Sequence, residues 1–168
     1  DTADPTTGVA AVAAISVQNG NGPVKNFRVL RNTIMGGTYS LYFYGSATDS
    51  CEVIIKDNTM SDFYTYGIYN YYTKSDIINN TIIKNTYRLT NTSIYPIYAY
   101  YSNVNIENNY IEINTKDLSY NYGIYTYYTT LRADHNTSVC NVKDLDYHHG
   151  IYCSYAPYSY INGNKIYM

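Results

Sequence analysis

One asparagine returns through this chain with the same neighbours around it. Aligned on that residue, the sequence reads Phe27-x-Val29-x-x-Asn32-x-Ile34, Val53-x-Ile55-x-x-Asn58-x-Met60, Ser75-x-Ile77-x-x-Asn80-x-Ile82, Val104-x-Ile106-x-x-Asn109-x-Ile111, Leu131-x-Ala133-x-x-Asn136-x-Ser138 and Ser159-x-Ile161-x-x-Asn164-x-Ile166. A second motif follows the first five copies. Its aliphatic anchors, Leu41, Ile68, Ile97, Ile124 and Ile151, lie 27, 29, 27 and 27 residues apart. Ala14-Ile15-Ser16-Val17 is a degenerate earlier copy, 26 residues ahead of Leu41 when counted from Ile15.

Both motifs alternate apolar and polar residues over four to six positions, the pattern of a strand with one face buried. A unit of about 27 residues therefore holds two or three short strands, too little to bury its own apolar face. Stacking successive units puts Ile on Ile and Asn on Asn at roughly the 4.8 Å spacing of paired strands. The expected fold is all-β: a parallel β-helix, or β-solenoid, of about six coils. Its repeats run over 9–168 of a single 1–168 domain, with 1–8 as an N-terminal extension and no legible cap at either end.

The V-x-I-x-x-N-x-I register resembles the repeat of the right-handed parallel β-helix proteins, the pectate-lyase-like architecture. The resemblance implies an asparagine ladder, and the matching positions are Asn32, Asn58, Asn80, Asn109, Asn136 and Asn164. The chemistry agrees: Asn accepts the left-handed turn conformation, and its amide both donates and accepts along a stack. The composition is also similar to microbial cell-surface β-helix proteins, including adhesin-like and sheath proteins of archaea. A β-helix fixes architecture, not activity.

Composition supports strands. The chain holds 25 Tyr, no Trp, twenty Asn and eighteen Thr, which are strand and turn formers. Only 14% of residues are charged and the net charge is −2, leaving no basic footprint for nucleic acid or anionic lipid. The apolar run Val9 to Val17 is too short to span a bilayer, and the chain opens at Asp1, as expected of a secreted chain whose signal peptide has been removed.

Motifs for catalysis are sparse. The best acidic constellation is Lys116-Asp117 one repeat before Lys143-Asp144, with Asp146 nearby. Stacked carboxylates could hold a cation. An exposed edge of diagonal Lys–Asp pairs is the plainer alternative, and the residues favour it. His135, His148 and His149 lack a companion ligand set, and His148-His149 reads as a surface substitution in the phase of Asn121-Tyr122. No G-x-S-x-G, P-loop or G-x-G-x-x-G motif occurs, and no cofactor is expected.

The tyrosines carry more information. If the Ile anchors point inward, alternation turns Tyr42, Tyr69, Tyr98, Tyr125 and Tyr152 outward, with Tyr44, Tyr71, Tyr100 and Tyr127 beside them. These two columns are expected to form an assembly face, since an ordered aromatic surface of that size exceeds what a solitary chain shows to water. Cys140 and Cys153 fall in inward columns. Cys51, after the polar segment 45–50, is the candidate for a free or intermolecular thiol. Asn79, Asn91 and Asn136 begin N-x-S/T sequons; Asn136 sits in the ladder, and glycosylation is expected first at Asn91, in the long segment 84–95, with Asn79 as the further candidate.

The reading that follows is a self-assembling extracellular structural protein of a filament, sheath or surface layer. Its partner is itself, joined head to tail and laterally through tyrosine. The alternatives are a surface adhesin or carbohydrate-binding β-helix, with polysaccharide as partner, and a polysaccharide lyase or hydrolase fragment.

Overall fold

A computed structural model describes residues 12–20, 22–85, 93–115, 120–142 and 147–168. Asp117, Asp144, Asp146 and Asn91 lie outside the described residues. The rest winds as the repeat requires. Eighteen short strands follow one another, and every third joins the same sheet, giving three parallel sheets of six strands.

The first sheet contains Ala13–Gln18, Tyr39–Tyr44, Tyr66–Tyr71, Tyr95–Tyr100, Asn121–Tyr127 and His148–Ser154. The second runs through Phe27–Leu30, Cys51–Lys56, Thr73–Ile78, Asn103–Glu107, Thr130–Asp134 and Tyr160–Asn162, and the third through Thr33–Met35, Thr59–Ser61, Thr81–Lys84, Tyr110–Ile113, Thr137–Cys140 and Lys165–Tyr167. Among the described residues there is no helix, hence none long and apolar enough to cross a membrane. Five coils are complete and the remaining strands make a sixth, as the repeat count predicts.

Registers are exact copies of the sequence alignment: Leu41 pairs Ile68, Ile68 pairs Ile97, Ile97 pairs Ile124 and Ile124 pairs Ile151. Columns of Val53, Val104 and Leu131, of Ile55, Ile77 and Ile106, and of Met60, Ile82 and Ile111 line the other two walls, each at most 3% exposed. One Leu or Ile buried in this way contributes about 1.5–3 kcal/mol relative to exposure. Because each coil covers the next, that contribution is shared along the whole axis.

The asparagines occupy the corner between the second and third sheets. Asn58 donates from Nδ2 to Oδ1 of Asn80 at 2.9 Å, Asn80 to Asn109 at 3.0 Å, Asn109 to Asn136 at 3.0 Å and Asn136 to Asn164 at 2.9 Å. Asn32 begins the row with 3.0 Å to Asn58. Each Oδ1 also accepts the backbone N–H of the preceding ladder residue, as Asn136 does from Asn109 at 2.9 Å. The remaining amide hydrogen crosses back to a carbonyl of the previous coil, Asn109 to Ile77 at 2.8 Å. Donors and acceptors are thus paired inside a corner from which water is excluded.

The left-handed residue at this corner is the one before the asparagine. Arg31, Asp57, Asn79, Asn108 and His135 have φ between 52° and 58°, and Gly163 has 62°. The amide ladder therefore depends on the side chain's hydrogen-bonding capacity, while its neighbour makes the bend. A second corner repeats the device with hydroxyls. Tyr72, Tyr101, Tyr128 and Tyr155 are left-handed, φ 47–49°, and the following Thr73 donates its backbone N–H to Oγ of Ser102 at 3.0 Å. A bulky residue there stores about 1–3 kcal/mol of backbone strain.

Two buried asparagines outside these ladders behave differently. Asn70 and Asn121 are fully buried, and neither side-chain amide atom has a hydrogen-bond partner. The ladder prediction can therefore be sharpened. Asn109→Leu removes an acceptor for two donors of Asn80 and should lower the melting temperature by at least about 4 °C, taking about 1–3 kcal/mol per stranded group and about 2 °C per kcal/mol. Asn121→Leu should leave it unchanged or raise it, because an unpaired amide is replaced by an apolar group of similar size. Thermal unfolding of the two variants checks both, and equal losses would contradict the ladder's role.

Candidate functional site: a tyrosine face

The outer surface of the first sheet is a lattice of tyrosine. In one column Tyr42, Tyr69, Tyr98, Tyr125 and Tyr152 stack with centroids 5.0–5.2 Å apart and planes within 10°. Tyr44, Tyr71, Tyr100 and Tyr127 run beside it, at 4.6 Å for Tyr44–Tyr71 and 5.4 Å for the next two pairs. Both columns face outward, as alternation from the Ile anchors requires.

Two further columns were not anticipated. Tyr39, Tyr66, Tyr95 and Tyr122 stack at 4.9–5.1 Å, and His149 continues the row at 5.3 Å from Tyr122. Strict alternation would turn these residues inward, yet the phase breaks just before each anchor. Ser40 and Leu41 are both buried, as are Gly67 and Ile68, Pro96 and Ile97, and Gly123 and Ile124. The paired register skips the first residue of each couple. Crowding explains why the skipped residue is small. A Cβ on Gly67 would come within 2.5 Å of the Pro96 carbonyl oxygen, and one on Gly123 within 2.4 Å of Ser138 Oγ. The fourth column consists of the left-handed Tyr72, Tyr101, Tyr128 and Tyr155, stacked at 4.6–5.1 Å.

The same phase break corrects the reading of the histidines. His148 lies inside, paired in register with the buried Asn121, and neither ring nitrogen has a hydrogen-bond partner. Burial, with His149 next to it, pushes its pKa down. His149 is the outward residue of the two, at the end of the column of Tyr39, Tyr66, Tyr95 and Tyr122. Cys51 also departs from expectation: its side chain is completely buried in register with Thr73, and burial pushes its thiol pKa up, so it is not an accessible intermolecular thiol. Cys140 is buried, as its inward column required, and Cys153 is half-buried; no described cysteine forms a disulfide. Asn79 is exposed at its turn and donates to Asp57 at 3.3 Å.

Within the columns of Tyr39, Tyr42 and Tyr72 the rings lie face to face, while Tyr71–Tyr100 and Tyr100–Tyr127 in the column beside them are tilted by 52° and 41°; between the columns of Tyr39 and Tyr42 the rings meet edge on. Tyr66–Tyr69, Tyr95–Tyr98 and Tyr122–Tyr125 cross at 77–81° with centroids 4.9–5.4 Å apart. Aromatic pairs of this geometry are worth about 0.5–1.5 kcal/mol each beyond area burial. Ring faces are thereby occupied by neighbouring rings, and the surface offered outward consists of ring edges. The four central strands, 39–44, 66–71, 95–100 and 121–127, contain no Asp, Glu, Lys or Arg.

Away from this face, Asp134 gathers three partners: His135 Nδ1 at 2.6 Å, Asn162 Nδ2 at 3.0 Å and Arg132 at 3.2 Å. The hydrogen bond from Asn162, then that from Arg132, holds its carboxyl below the usual range. No motif announces this cluster, since Asn162 arrives from the next coil. Among the described residues no group of three His, Cys, Asp or Glu could hold a metal ion.

The chain matches the family described as right-handed beta helix region over residues 13–168. It belongs to that family. The β-helix family includes both enzymes and non-enzymes. No curated protein and no solved structure gave a significant match to the chain.

Tyrosine burial gives a titration test. Burial first, and neighbouring phenols second, raise the pKa of Tyr66 and Tyr69, and push Tyr98 and Tyr122 from 10.0 to about 12. A phenol that holds its proton more tightly when folded adds stability that is complete below the unfolded value near 10 and fades as pH rises toward the folded value. Denaturation midpoints should therefore be insensitive to these groups at neutral pH and fall between pH 10 and about 12, with phenolate absorbance appearing alongside unfolding. Full phenol titration near pH 10 with the fold intact would contradict the packing.

Proposed function

We propose that this β-helix is a structural protein of the cell exterior that acts by assembly, and that the tyrosine sheet is where one copy meets another. The observation carrying the proposal is the uncharged lattice of ring edges repeating at about the strand spacing. A second copy of the same sheet has the same repeat, so edges and hydroxyls of one lattice can sit between those of the other over many coils. No desolvated charge opposes the contact, which is the usual cost of burying a polar surface. Aromatic residues such as tyrosine are the ones enriched in the cores of protein interfaces.

A carbohydrate-binding role is the second reading, and one feature weighs against it. Sugar rings stack on exposed aromatic faces, whereas the faces here are covered by the tyrosines of adjoining coils. A filament, sheath or layer in which copies join laterally through this sheet uses the surface as it is presented.

The column of Tyr71, Tyr100 and Tyr127 supplies the test, because its successive pairs are tilted by 52° and 41° and less tightly stacked than those of the Tyr42 column. Tyr71→Ser, Tyr100→Ser and Tyr127→Ser together should leave the circular dichroism of the parallel sheets in place and abolish or strongly weaken self-association. Sedimentation velocity and negative-stain microscopy of parent and variant read the outcome. A parent that stays monomeric at high concentration, or a variant that assembles equally well, would overturn the proposal. Retention on a polysaccharide gel with no self-association would favour the carbohydrate reading instead.

A further inference from the structure

The turn column contains the most exposed of the lattice tyrosines. Exposure is 38% at Tyr101, 41% at Tyr128 and 62% at Tyr155. Tyr128 and Tyr155 are also the closest stacked pair of that column, with centroids 4.6 Å apart and planes at 18°, against 5.0 Å for Tyr72–Tyr101 and 5.1 Å for Tyr101–Tyr128. We propose that Tyr128 and Tyr155 are a site of oxidative phenol coupling, at which a haem peroxidase with hydrogen peroxide joins two consecutive coils by a ring-to-ring carbon bond.

The chemistry balances with that oxidant. Each phenol gives up one electron and its hydroxyl proton, and the two phenoxyl radicals join at the carbons ortho to oxygen. Each ring then moves its ortho hydrogen to oxygen and regains the phenol. The two electrons and two protons reduce one hydrogen peroxide to two waters, so the linked chain is lighter by two hydrogens.

Three features direct the coupling to this pair. The chain has no tryptophan, and two of its three cysteines, Cys51 and Cys140, are buried, so tyrosine is the aromatic group open to one-electron oxidation. The lattice connects its members: Tyr71–Tyr72, Tyr100–Tyr101 and Tyr127–Tyr128 lie 4.8, 4.3 and 4.6 Å apart, so an electron vacancy formed on the sheet can pass by exchange between touching rings to the turn column. The phenol radical cation left by electron loss must also give up its hydroxyl proton to become the phenoxyl radical. Tyr66, Tyr69 and Tyr98 are only partly open to solvent, whereas Tyr128 and Tyr155, 41% and 62% exposed, stand in water that can accept that proton. Coupling requires the two rings to tilt from their stack toward the solvent that exposes 41% of Tyr128 and 62% of Tyr155.

Tyr120 and Tyr147 make the instructive rival, stacked at 4.7 Å and 23° and exposed by 39% and 53%. Among the described residues they join the lattice only through Tyr120–Tyr122, at a longer 6.3 Å. Proximity alone therefore predicts both pairs, while supply through the lattice predicts Tyr128–Tyr155.

The test treats the whole protein, dilute and at neutral pH, with a haem peroxidase and limiting hydrogen peroxide. Dityrosine fluorescence and tandem mass spectrometry of the digest locate the links; oxygen added to the exposed Met35 and Met168 is told apart by its mass. The expected result is a chain that remains a monomer on a denaturing gel, lighter by two hydrogens, with Tyr128–Tyr155 as the principal link. Tyr155→Phe keeps the stacked ring and should lose that link and most of the fluorescence. Links found mainly at Tyr120–Tyr147 or between molecules, no dityrosine at all, or undiminished yield in Tyr155→Phe would overturn the proposal.

Discussion

Everything in this molecule depends on like residues lying directly above one another. Parallel pairing in register forces that arrangement, because a slip of one residue would turn each apolar column outward. The condition is severe for polar residues, which must find partners among copies of themselves. Asparagine meets it because a primary amide can donate to one neighbour and accept from the other, so Asn58, Asn80, Asn109 and Asn136 are paired at a buried corner. Tyrosine meets it on the outside, where each ring face covers the next. One constraint thus produces both the internal ladder and the external lattice.

The fold was legible because the repeat is written in side chains that have one feasible neighbour each. The Ile columns and the central tyrosine column could be placed from spacing and alternation, and the ladder positions from the resemblance to the right-handed β-helix repeat. What was not legible lies wherever alternation fails. A two-residue inward step at Ser40–Leu41 and its equivalents reverses the phase upstream, which is why Tyr39, Tyr66, Tyr95 and Tyr122 face outward and Asn121 and His148 inward. The small residues at that step were the available signal, since a Cβ on Gly67 or Gly123 would collide with the adjoining coil.

Other features escaped for different reasons. The left-handed bend falls one position before each ladder asparagine, on residues as unlike as Arg31, Asp57 and His135, so no residue type announces it. Cys51 resembled an exposed thiol because a polar turn precedes it, but the strand it opens begins on an inward position. The carboxylate cluster around Asp134 joins side chains 28 residues apart in sequence, Asp134 and Asn162, through contact between coils rather than through any motif.

Seen this way, the tyrosine lattice is a consequence of the same repetition that makes the core, and its extent follows from the number of coils. A face that grows with every coil suits a role in which contact area, rather than a single pocket, carries the activity. The most direct measurement of the underlying constraint is hydrogen exchange at the asparagine side chains, followed by nitrogen-15 NMR. The Nδ2 hydrogens of Asn58, Asn80, Asn109 and Asn136 should exchange only with global unfolding, far more slowly than those of the exposed Asn103. Exchange of the four at the rate of Asn103 would contradict the account, because a ladder open to water could not fix the register on which the rest is built.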